Sequence, residues 1–237
     1  LYLMAGSNDN SEHIKSATIA GNSTTGGWAG NRMRPDLVLK FFPNNDAPNV
    51  AAYAMPAAAD DDRALFDGEG RNVSNGDDEK GVKVFTNGFS VCKFNNFKTD
   101  GSAGHNSLFP DADFFLMRAA EAYLMYAEAD ARQNNGTTTA QGTAYINALR
   151  TRANATTQTA YSLRQICDEW SREFYFEGLR RTTLIRFGYF GGNVNYNWSW
   201  KGGVKNGRNF DSHLNLFPIP TSDLVANEAN LIQNPGY

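Results

Sequence analysis

The spacing of apolar residues predicts a helical hairpin in the second half of the chain. The segment Asp113–Arg132 is rich in alanine, which favours helix. Its apolar residues recur at a helical period on one face, made by Leu116, Ala120, Tyr123, Ala127 and Ala131. Asn135-Gly136 ends this helix, and a second helix, apolar at Ile146 and Leu149, is expected from about Thr143 to Ala153. Two antiparallel helices joined by a short loop are typical of a tetratricopeptide-type hairpin.

A third helix is expected to begin near Leu163, because Ser162 and Gln165 have the spacing of a capping box. Its most informative part, Asp168–Phe190, mixes aromatic and charged residues. One helical face is made by Trp170, Phe174 and Glu177. The other side carries Glu169, Arg172 and Glu173, spaced so that they can pair. We expect the aromatic face to be packed and the charges to form a partly buried ion-pair network, with a catalytic role as the alternative.

Glycine and proline positions delimit the remaining elements. Gly178 is expected to end or kink the third helix, and Gly188 to act as a C-cap. Pro35 suits the first position of a short amphipathic helix. Its apolar face is made by Leu37, Phe41 and Val38. Val82–Phe85 and Phe89–Phe94 alternate between apolar and polar residues, so a short β-hairpin is expected there, whereas Gly191–Leu216 is expected to be a long polar loop.

The composition bounds the class of protein. The chain has 237 residues, of which 41% are hydrophobic and 20% charged, enough for one large domain or part of one. A net charge of −3 gives no electrostatic case for nucleic-acid binding. Its apolar runs are shorter than the roughly 18 residues of a membrane span, and Leu1–Met4 lacks the basic flank of a signal peptide. Since the first residue is not methionine, we expect a mature product or a fragment.

The residue types that bind metals or form disulfides are scattered. Cys92 and Cys167 lie far apart, so two unrelated thiols are favoured over one disulfide. The histidines, which suit neither a zinc site nor a catalytic triad, are His13, His105 and His213. Asp60–Asp62 could hold Ca²⁺, but a solvated cap or turn is favoured because the ligand spacing of a calcium loop is missing. The sequence predicts no metal and no cofactor.

Four segments carry a distinctive order of residues. Phe217–Tyr237 begins F-P-I-P and ends Q-N-P-G-Y, and Asp168–Phe190 contains F-E-G-L-R-R followed by L-I-R-F-G. Arg118–Ala131 and Tyr145–Ala153 carry Ala-Glu and Leu-Arg-Thr-Arg-Ala patterns. In this order, the four segments resemble the C-terminal part of SusD-like (RagB/SusD) proteins, which are cell-surface nutrient-binding lipoproteins of Bacteroidetes-type bacteria.

The resemblance extends more weakly to Gly27–Phe41, where the chain keeps the tryptophan, arginine and proline of a family motif. It departs from the family at Ser171–Arg172, where the Glu–Arg pair is shifted, and at Thr183, where the family usually has aspartate. Within Phe217–Tyr237, Thr221 or Ser222 can cap a short helix.

The resemblance implies a mainly α fold, the SusD-like fold, with tetratricopeptide-type helix hairpins and a loop-rich region with short β-hairpins. Residues 1–112 would form the loop-rich ligand side, and residues 113–237 the helical C-terminal region of the same fold. Because family members are longer, the chain is expected to be the C-terminal half. We expect this half to fold poorly alone, since faces of its helix hairpins would be uncovered.

The function implied by the resemblance is binding without catalysis. A SusD-like protein captures oligosaccharides or polysaccharides at the outer leaflet of the outer membrane and delivers them to a SusC-like TonB-dependent transporter. The lipid anchor would be carried by the missing N-terminal part. The implied partners are therefore a glycan and an outer-membrane barrel, with no nucleic acid.

Sugar-binding sites combine aromatic faces with polar groups that satisfy hydroxyls. The candidate ligand-binding residues are Trp28, Asn31, Arg32, Tyr53, Trp198 and Trp200. For Trp28 the alternative is a core anchor beside the helix that starts at Pro35. For Trp198 and Trp200, packing within a structural loop is favoured over ligand binding.

Three other functions remain open at this point. Some members of the family capture peptides, as RagB-like binders. A tetratricopeptide-type adaptor would bind a protein partner and no small ligand. A glycoside hydrolase would need a pair of carboxylates about 5 to 9 Å apart, but the well-placed carboxylates lie on helices with arginine partners.

Overall fold

The computed structural model describes residues 32–73, 84, 86–94, 98–104, 115–192, 196–227 and 230–237. The chain divides into two compact units, Leu1–Leu179 (unit 1) and Arg180–Tyr237 (unit 2). Most of the regular structure is helical, so the mainly α fold expected from the sequence is confirmed. No helix in the described ranges has the length and apolar character needed to cross a bilayer. The separation into a ligand side, 1–112, and a helical region, 113–237, stays a prediction.

The described ranges contain seven α-helices and three short strands. In chain order they are β1 (Arg32–Met33), α1 (Pro35–Phe41), α2 (Met55–Ala59), β2 (Phe66–Asp67), β3 (Phe89–Val91), α3 (Ala119–Gln133), α4 (Ala140–Arg152), α5 (Leu163–Phe174), α6 (Arg180–Arg186) and α7 (Thr221–Ala226). Two short 3₁₀ turns follow α6, at Lys201–Gly203 and Ser212–Asn215.

The strands form one antiparallel sheet in the order β1-β3-β2. The expected strand within Phe89–Phe94 is confirmed as β3, whereas its expected partner, Val82–Phe85, lies outside the described residues apart from Val84. Neither β1 nor β2 shows an alternating pattern of apolar and polar residues, because two residues are too few to form one.

The sheet and α1 share an aromatic core. Helix α1 begins at Pro35, as predicted, and buries Val38 and Phe41. The ring of Phe66 lies 5.5 Å from that of Phe41 and 5.9 Å from that of Phe89. Tyr175, which follows α5, joins this core and places its hydroxyl between two backbone groups. It donates to the carbonyl of Arg63 at 2.8 Å and accepts from the N–H of Leu65 at 3.2 Å.

Helix α3 starts later than the sequence indicated. The predicted start at Asp113 lies outside the described residues, but Phe115–Arg118 is not helical. Arg118 has an extended backbone, and its guanidinium is held by carboxylates on the α5 side, so the helix begins at Ala119. The predicted apolar face was therefore partly wrong, since Leu116 is 79% exposed and Tyr123 37% exposed. The buried face is Ala120, Leu124, Ala127, Glu128 and Ala131.

Helices α3 and α4 pack as the predicted hairpin, joined by the short segment 134–139. Helix α4 begins three residues before the expected Thr143, because the carboxylate of Asp130 stabilises its first turn. That carboxylate accepts from the N–H and the hydroxyl of Thr139, both at 2.7 Å. Gly142 makes this approach possible, since a Cβ there would lie 2.2 Å from Asp130 Oδ2.

Helix α5 begins at Leu163 with the predicted capping box. Ser162 Oγ accepts from the N–H of Gln165 at 3.3 Å, and Gln165 Oε1 accepts from the N–H of Ser162 at 2.8 Å. The helix ends at Phe174, four residues before Gly178. Its last carbonyls have cationic partners there, because Lys93 Nζ donates to the carbonyl of Glu173 at 2.8 Å.

In unit 2, specific residues determine where α6 ends, where α7 begins and how the C-terminal segment is held. Helix α6 closes at Gly188, which has a φ of 71°, as the sequence predicted for a C-cap. Helix α7 follows Pro220 as expected, although no side chain caps it. Near the C-terminus, the Gln233 amide accepts from the N–H of Ile219 at 2.8 Å and donates to its carbonyl at 3.0 Å. The Q-N-P-G-Y motif thereby folds back onto F-P-I-P.

Candidate ligand-binding region and ion-pair network

The sheet of unit 1 positions Arg32, one of the predicted site residues. Arg32 on β1 and Asp67 on β2 both pair with Ser90 on the central strand, so the three residues form one row on the same face. Arg32 Nη1 donates to the carbonyl of Val84, and burial together with the charge of Arg71 lowers the pKa of Arg32. Ser90 and Asp67 are buried, whereas Arg32 is half-buried, and a guanidinium is a donor of the kind that satisfies sugar hydroxyls.

Tyr53 follows Ala52, and the backbone of Ala52 is hydrogen-bonded to Asp67 of the same row. The N–H of Ala52 donates to Asp67 Oδ1 at 3.1 Å, and Arg71 Nε lies 3.6 Å from Asp67 Oδ2. The neighbouring Tyr53 is 89% exposed, so its ring is available to a ligand. Sequence reasoning missed Asp67 and Ser90, because their pairing depends on strands that are far apart in the chain.

The two other predicted site residues of unit 1, Trp28 and Asn31, lie outside the described residues. In the sequence, Asn31 directly precedes β1, and Trp28 lies four positions before its first residue, Arg32. Their role in ligand binding stays a prediction, as does that of Arg32 and Tyr53.

Trp198 in unit 2 belongs to an aromatic cluster. Its ring lies 6.1 Å from that of Phe190 and 5.8 Å from that of Phe210. Lys201 is 1% exposed, and its ammonium lies 4.7 Å from the Trp198 ring centre and 2.8 Å from the carbonyl of Tyr196. Trp198 thus contributes to packing within the segment that the sequence described as a polar loop.

Trp200, the last predicted site residue, has a left-handed backbone with a φ of 64°. It directly precedes the 3₁₀ turn at Lys201–Gly203, and its side chain is half-buried. The predicted site residues therefore fall into two groups, one in each unit.

The expected ion-pair network is confirmed, and Glu169 is at its centre. Glu169 is fully buried and its carboxylate binds three guanidinium groups. Arg63 lies 2.7 Å away, Arg150 2.8 Å and Arg172 2.7 Å. Because only one of these arginines is on α5, the network connects α5 with α4 and with the segment before β2.

A second part of the network surrounds Glu173. Its carboxylate lies 2.6 Å from Arg118, 2.8 Å from Arg152 and 3.1 Å from Arg63. Arg118 also reaches Glu177 at 2.7 Å, so the residues after α5 join the same network. Glu177 had been predicted on the aromatic face of the helix, but it comes after the helix has ended.

Electrostatics fix the charge of these carboxylates. Burial alone would raise the pKa of Glu169, but Arg172, Arg63 and Arg150 outweigh it and lower the pKa to about 2. Burial also opposes ionisation of Glu173, and Arg152 and Arg118 again lower its pKa to about 2. A general acid at neutral pH needs a raised pKa. The network therefore suits a structural role, and it does not suit acid catalysis.

The aspartate cluster and the cysteines have structural surroundings. Asp61 pairs with Arg63 at 2.7 Å, and the Asp62 carboxylate accepts from Asn154 at 2.6 Å. In the part of the chain that the structure describes, His, Cys, Asp and Glu side chains form no group that could hold a metal. Cys92 and Cys167 form no disulfide with each other.

Comparison with known proteins identifies the family. The model of the SusD family matches residues 60–237. The starch-binding protein SusD of Bacteroides thetaiotaomicron is 39% identical over 245 residues, in a match that covers 90% of this chain. The chain belongs to the SusD family, and the resemblance stated from its motifs is confirmed. It spans 43% of the length of that relative.

Solved structures show the same fold. A surface glycan-binding protein A from Bacteroides thetaiotaomicron has a TM-score of 0.51 and 19% identity, over 94% of this chain and 46% of that one. A laminarin-binding SusD-like protein has a TM-score of 0.50 and 24% identity, over 94% of this chain and 41% of that one. At these identities the likeness supports the SusD-like fold alone.

Proposed function

We propose that the chain is part of a cell-surface protein that captures oligosaccharides or polysaccharides and does not cleave them. The observation that carries this proposal is the 39% identity, over 90% of the chain, to a starch-binding protein. The proposed function is therefore glycan binding, and the identity of the glycan, for example starch, is left to the experiment.

The ligand site is proposed around Trp28, Asn31, Arg32 and Tyr53. Arg32 lies in a polar row with Ser90 and Asp67, and Asp67 holds the residue next to the exposed ring of Tyr53. An aromatic ring against the C–H face of a sugar, with polar groups beside it, is a common arrangement in sugar binding. Trp198 and Trp200 are proposed as a second, weaker group.

The proposed partner is a SusC-like TonB-dependent transporter in the outer membrane, to which the glycan is delivered. We also propose localisation at the outer leaflet through a lipid anchor, a proposal that membership of the SusD family supports. The lowered pKa of Glu169 and that of Glu173 keep both carboxylates ionised at neutral pH, so neither of these two residues is suited to act as a general acid.

The test is retention of the full-length protein in gels that contain one polysaccharide each. Trp28→Ala and Tyr53→Ala are compared with Tyr126→Ala, which removes a 47% exposed ring from α3. We expect one polysaccharide to retard the unaltered protein, and the first two variants to lose that retention while Tyr126→Ala keeps it.

Each other outcome points to a different function or site. Retention that survives Trp28→Ala and Tyr53→Ala would keep glycan binding and move the site elsewhere, Trp198 and Trp200 included. No retention by any polysaccharide would favour peptide capture or a tetratricopeptide-type adaptor. Release of reducing ends that one carboxylate substitution abolishes would show a glycoside hydrolase and would overturn the proposal.

A further inference from the structure

The exposed ring of Tyr53 is carried by a turn whose backbone is attached to the sheet of unit 1. Residues 51–54 form this turn, which is closed by a hydrogen bond from the N–H of Ala54 to the carbonyl of Ala51 at 3.0 Å. Ala52 within the turn is buried, whereas Tyr53 beside it is 89% exposed. We call residues 51–54 the Tyr53 turn. Its position depends on what holds its backbone, because the ring is largely surrounded by solvent.

One attachment of the Tyr53 turn is the carboxylate of Asp67, on the edge strand β2. Asp67 Oδ1 accepts from the N–H of Ala52 at 3.1 Å, and both residues are buried, so water does not compete for this bond. Asp67 and Arg32 both pair with Ser90, so their side chains leave the same face of the sheet. The bond therefore brings Ala52 to the face of the sheet that carries Arg32.

The next residue, Gly68, attaches the chain on both sides of the Tyr53 turn. Its N–H donates to the carbonyl of Val50 at 2.9 Å, directly before the turn. A Cβ at Gly68 would lie 3.0 Å from Met55 Cε, from Phe89 Cζ and from the carbonyl oxygen of Pro48. Met55, directly after the turn, is fully buried in the aromatic core. A residue without a Cβ therefore lets both flanks of the turn approach the end of β2.

These attachments fix the backbone of the turn before any ligand binds. The carbonyl of Val50, the N–H of Ala52 and the side chain of Met55 are all held, along one short stretch of the chain. A ligand that meets a ring on a fixed backbone has less disorder to remove than a ligand that meets a ring on a mobile loop. The residues that support such a ring thus contribute to affinity without touching the ligand.

We propose that Asp67 and Gly68 are positioning residues for Tyr53, because they hold the Tyr53 turn and so present its ring in one place. Asp67 acts through the N–H of Ala52, and Gly68 acts through the two flanks of the turn. This proposal rests on the proposed function, since it takes Tyr53 as part of the glycan site. It adds to that function the residues that determine where the ring lies.

The experiment measures the Kd of the full-length protein for a soluble form of the polysaccharide that retards it. Isothermal titration calorimetry is used, up to concentrations at which Tyr53→Ala still binds. Asp67→Ala removes the acceptor of the Ala52 N–H, whereas Asp67→Asn keeps an oxygen there. Gly68→Ala disturbs the turn and leaves the carboxylate intact. The matched control is Asp130→Ala, which removes a carboxylate that accepts from a backbone N–H in the α3–α4 hairpin. Each variant is made alone and together with Tyr53→Ala.

We expect Asp67→Ala and Gly68→Ala each to weaken the Kd about three- to tenfold. In the Tyr53→Ala background neither variant should weaken it further, because no ring is left to position. Asp67→Asn and Asp130→Ala should leave the Kd unchanged. Hydrogen exchange at the Ala52 amide should be faster in Asp67→Ala and should stay slow in Asp67→Asn.

A merely structural role for Asp67 gives a different result. Thermal unfolding would then show a loss of stability in Asp67→Ala, as in Asp130→Ala, while the Kd stays unchanged or weakens equally in both backgrounds. Either result overturns the proposal and leaves glycan binding in place. If Asp67→Ala does not fold, Gly68→Ala with and without Tyr53→Ala decides in the same way. If no polysaccharide retards the unaltered protein, the proposed function fails and this proposal fails with it.

Discussion

Arg63 Nη1 lies 2.7 Å from Glu169 Oε1, in an ion pair that joins positions 106 residues apart in the chain. Both groups are buried, so neither charge is solvated if the other is removed. We predict that Glu169→Gln lowers the free energy of unfolding of the full-length protein by about 3 kcal/mol. Chemical denaturation measures this change. Glu69→Gln, at an exposed turn, is the control and should have almost no effect.

The same network predicts how stability depends on pH. The pKa of Glu169 and that of Glu173 are lowered to about 2 in the folded chain, from an ordinary value of 4.5. The folded state therefore binds these protons less readily than the unfolded state does. The stabilisation is complete above pH 4.5 and is lost as the pH falls from there towards 2.

Urea denaturation at several pH values between 7 and 3 checks this dependence. The unaltered protein should lose stability steeply below pH 4.5. In Glu169→Gln the loss over the same interval should be smaller, since one titrating group is gone. Equal losses in the two proteins would contradict the assignment.

Gly142 is predicted to be intolerant of alanine, although alanine favours a helix by about 1 kcal/mol over glycine. A Cβ would lie 2.2 Å from Asp130 Oδ2, so the carboxylate must leave and its two bonds to Thr139 are lost. We expect a net destabilisation of about 1–3 kcal/mol, measured by thermal or chemical unfolding.

A double-mutant cycle separates this clash from other effects. In an Asp130→Ala background the obstructing carboxylate is absent, so Gly142→Ala should be neutral or stabilising there. If Gly142→Ala costs the same stability in both backgrounds, Asp130 is not the reason for the glycine.

Gln233 is predicted to hold the C-terminal segment in place. Its amide both accepts from and donates to Ile219, so Gln233→Glu keeps the acceptor and removes the donor. We expect faster hydrogen exchange at the Ile219 amide and little change in the helices of unit 1. Gln141→Glu, at an exposed position of α4, makes the same chemical change and should leave that exchange rate unaltered.

Local signals in the sequence predicted the starts of α1 and α5 correctly. Pro35 and the Ser162–Gln165 pair act within one turn, so the residues that decide the geometry are neighbours in the chain. The start of α3 was wrong because it depends on Arg118, whose guanidinium is drawn to Glu173 and Glu177, more than fifty positions away. Such a contact leaves no periodic pattern around Arg118 itself.

The sequence indicated which residue types in the chain could bind a sugar, but it did not indicate how those residues are arranged in space. Arg32 and Tyr53 were chosen because their chemistry suits sugars. Arg32 and Tyr53 are connected through Asp67, and this connection requires β2 to pair with β3. Strands of two residues leave no pattern in the sequence that would predict such a pairing.

The ion-pair network also determines when unit 1 can be completed during synthesis of the chain. Arg63, Lys93, Arg118 and the arginines of α4 all leave the ribosome before the glutamates that they pair with. Until α5 is made, those cations have no carboxylate from α5 to pair with, although Asp61 is already beside Arg63. The last third of the chain thus supplies the partners that complete the first two thirds, so a nascent chain that stops before Glu169 would hold an unfinished unit 1.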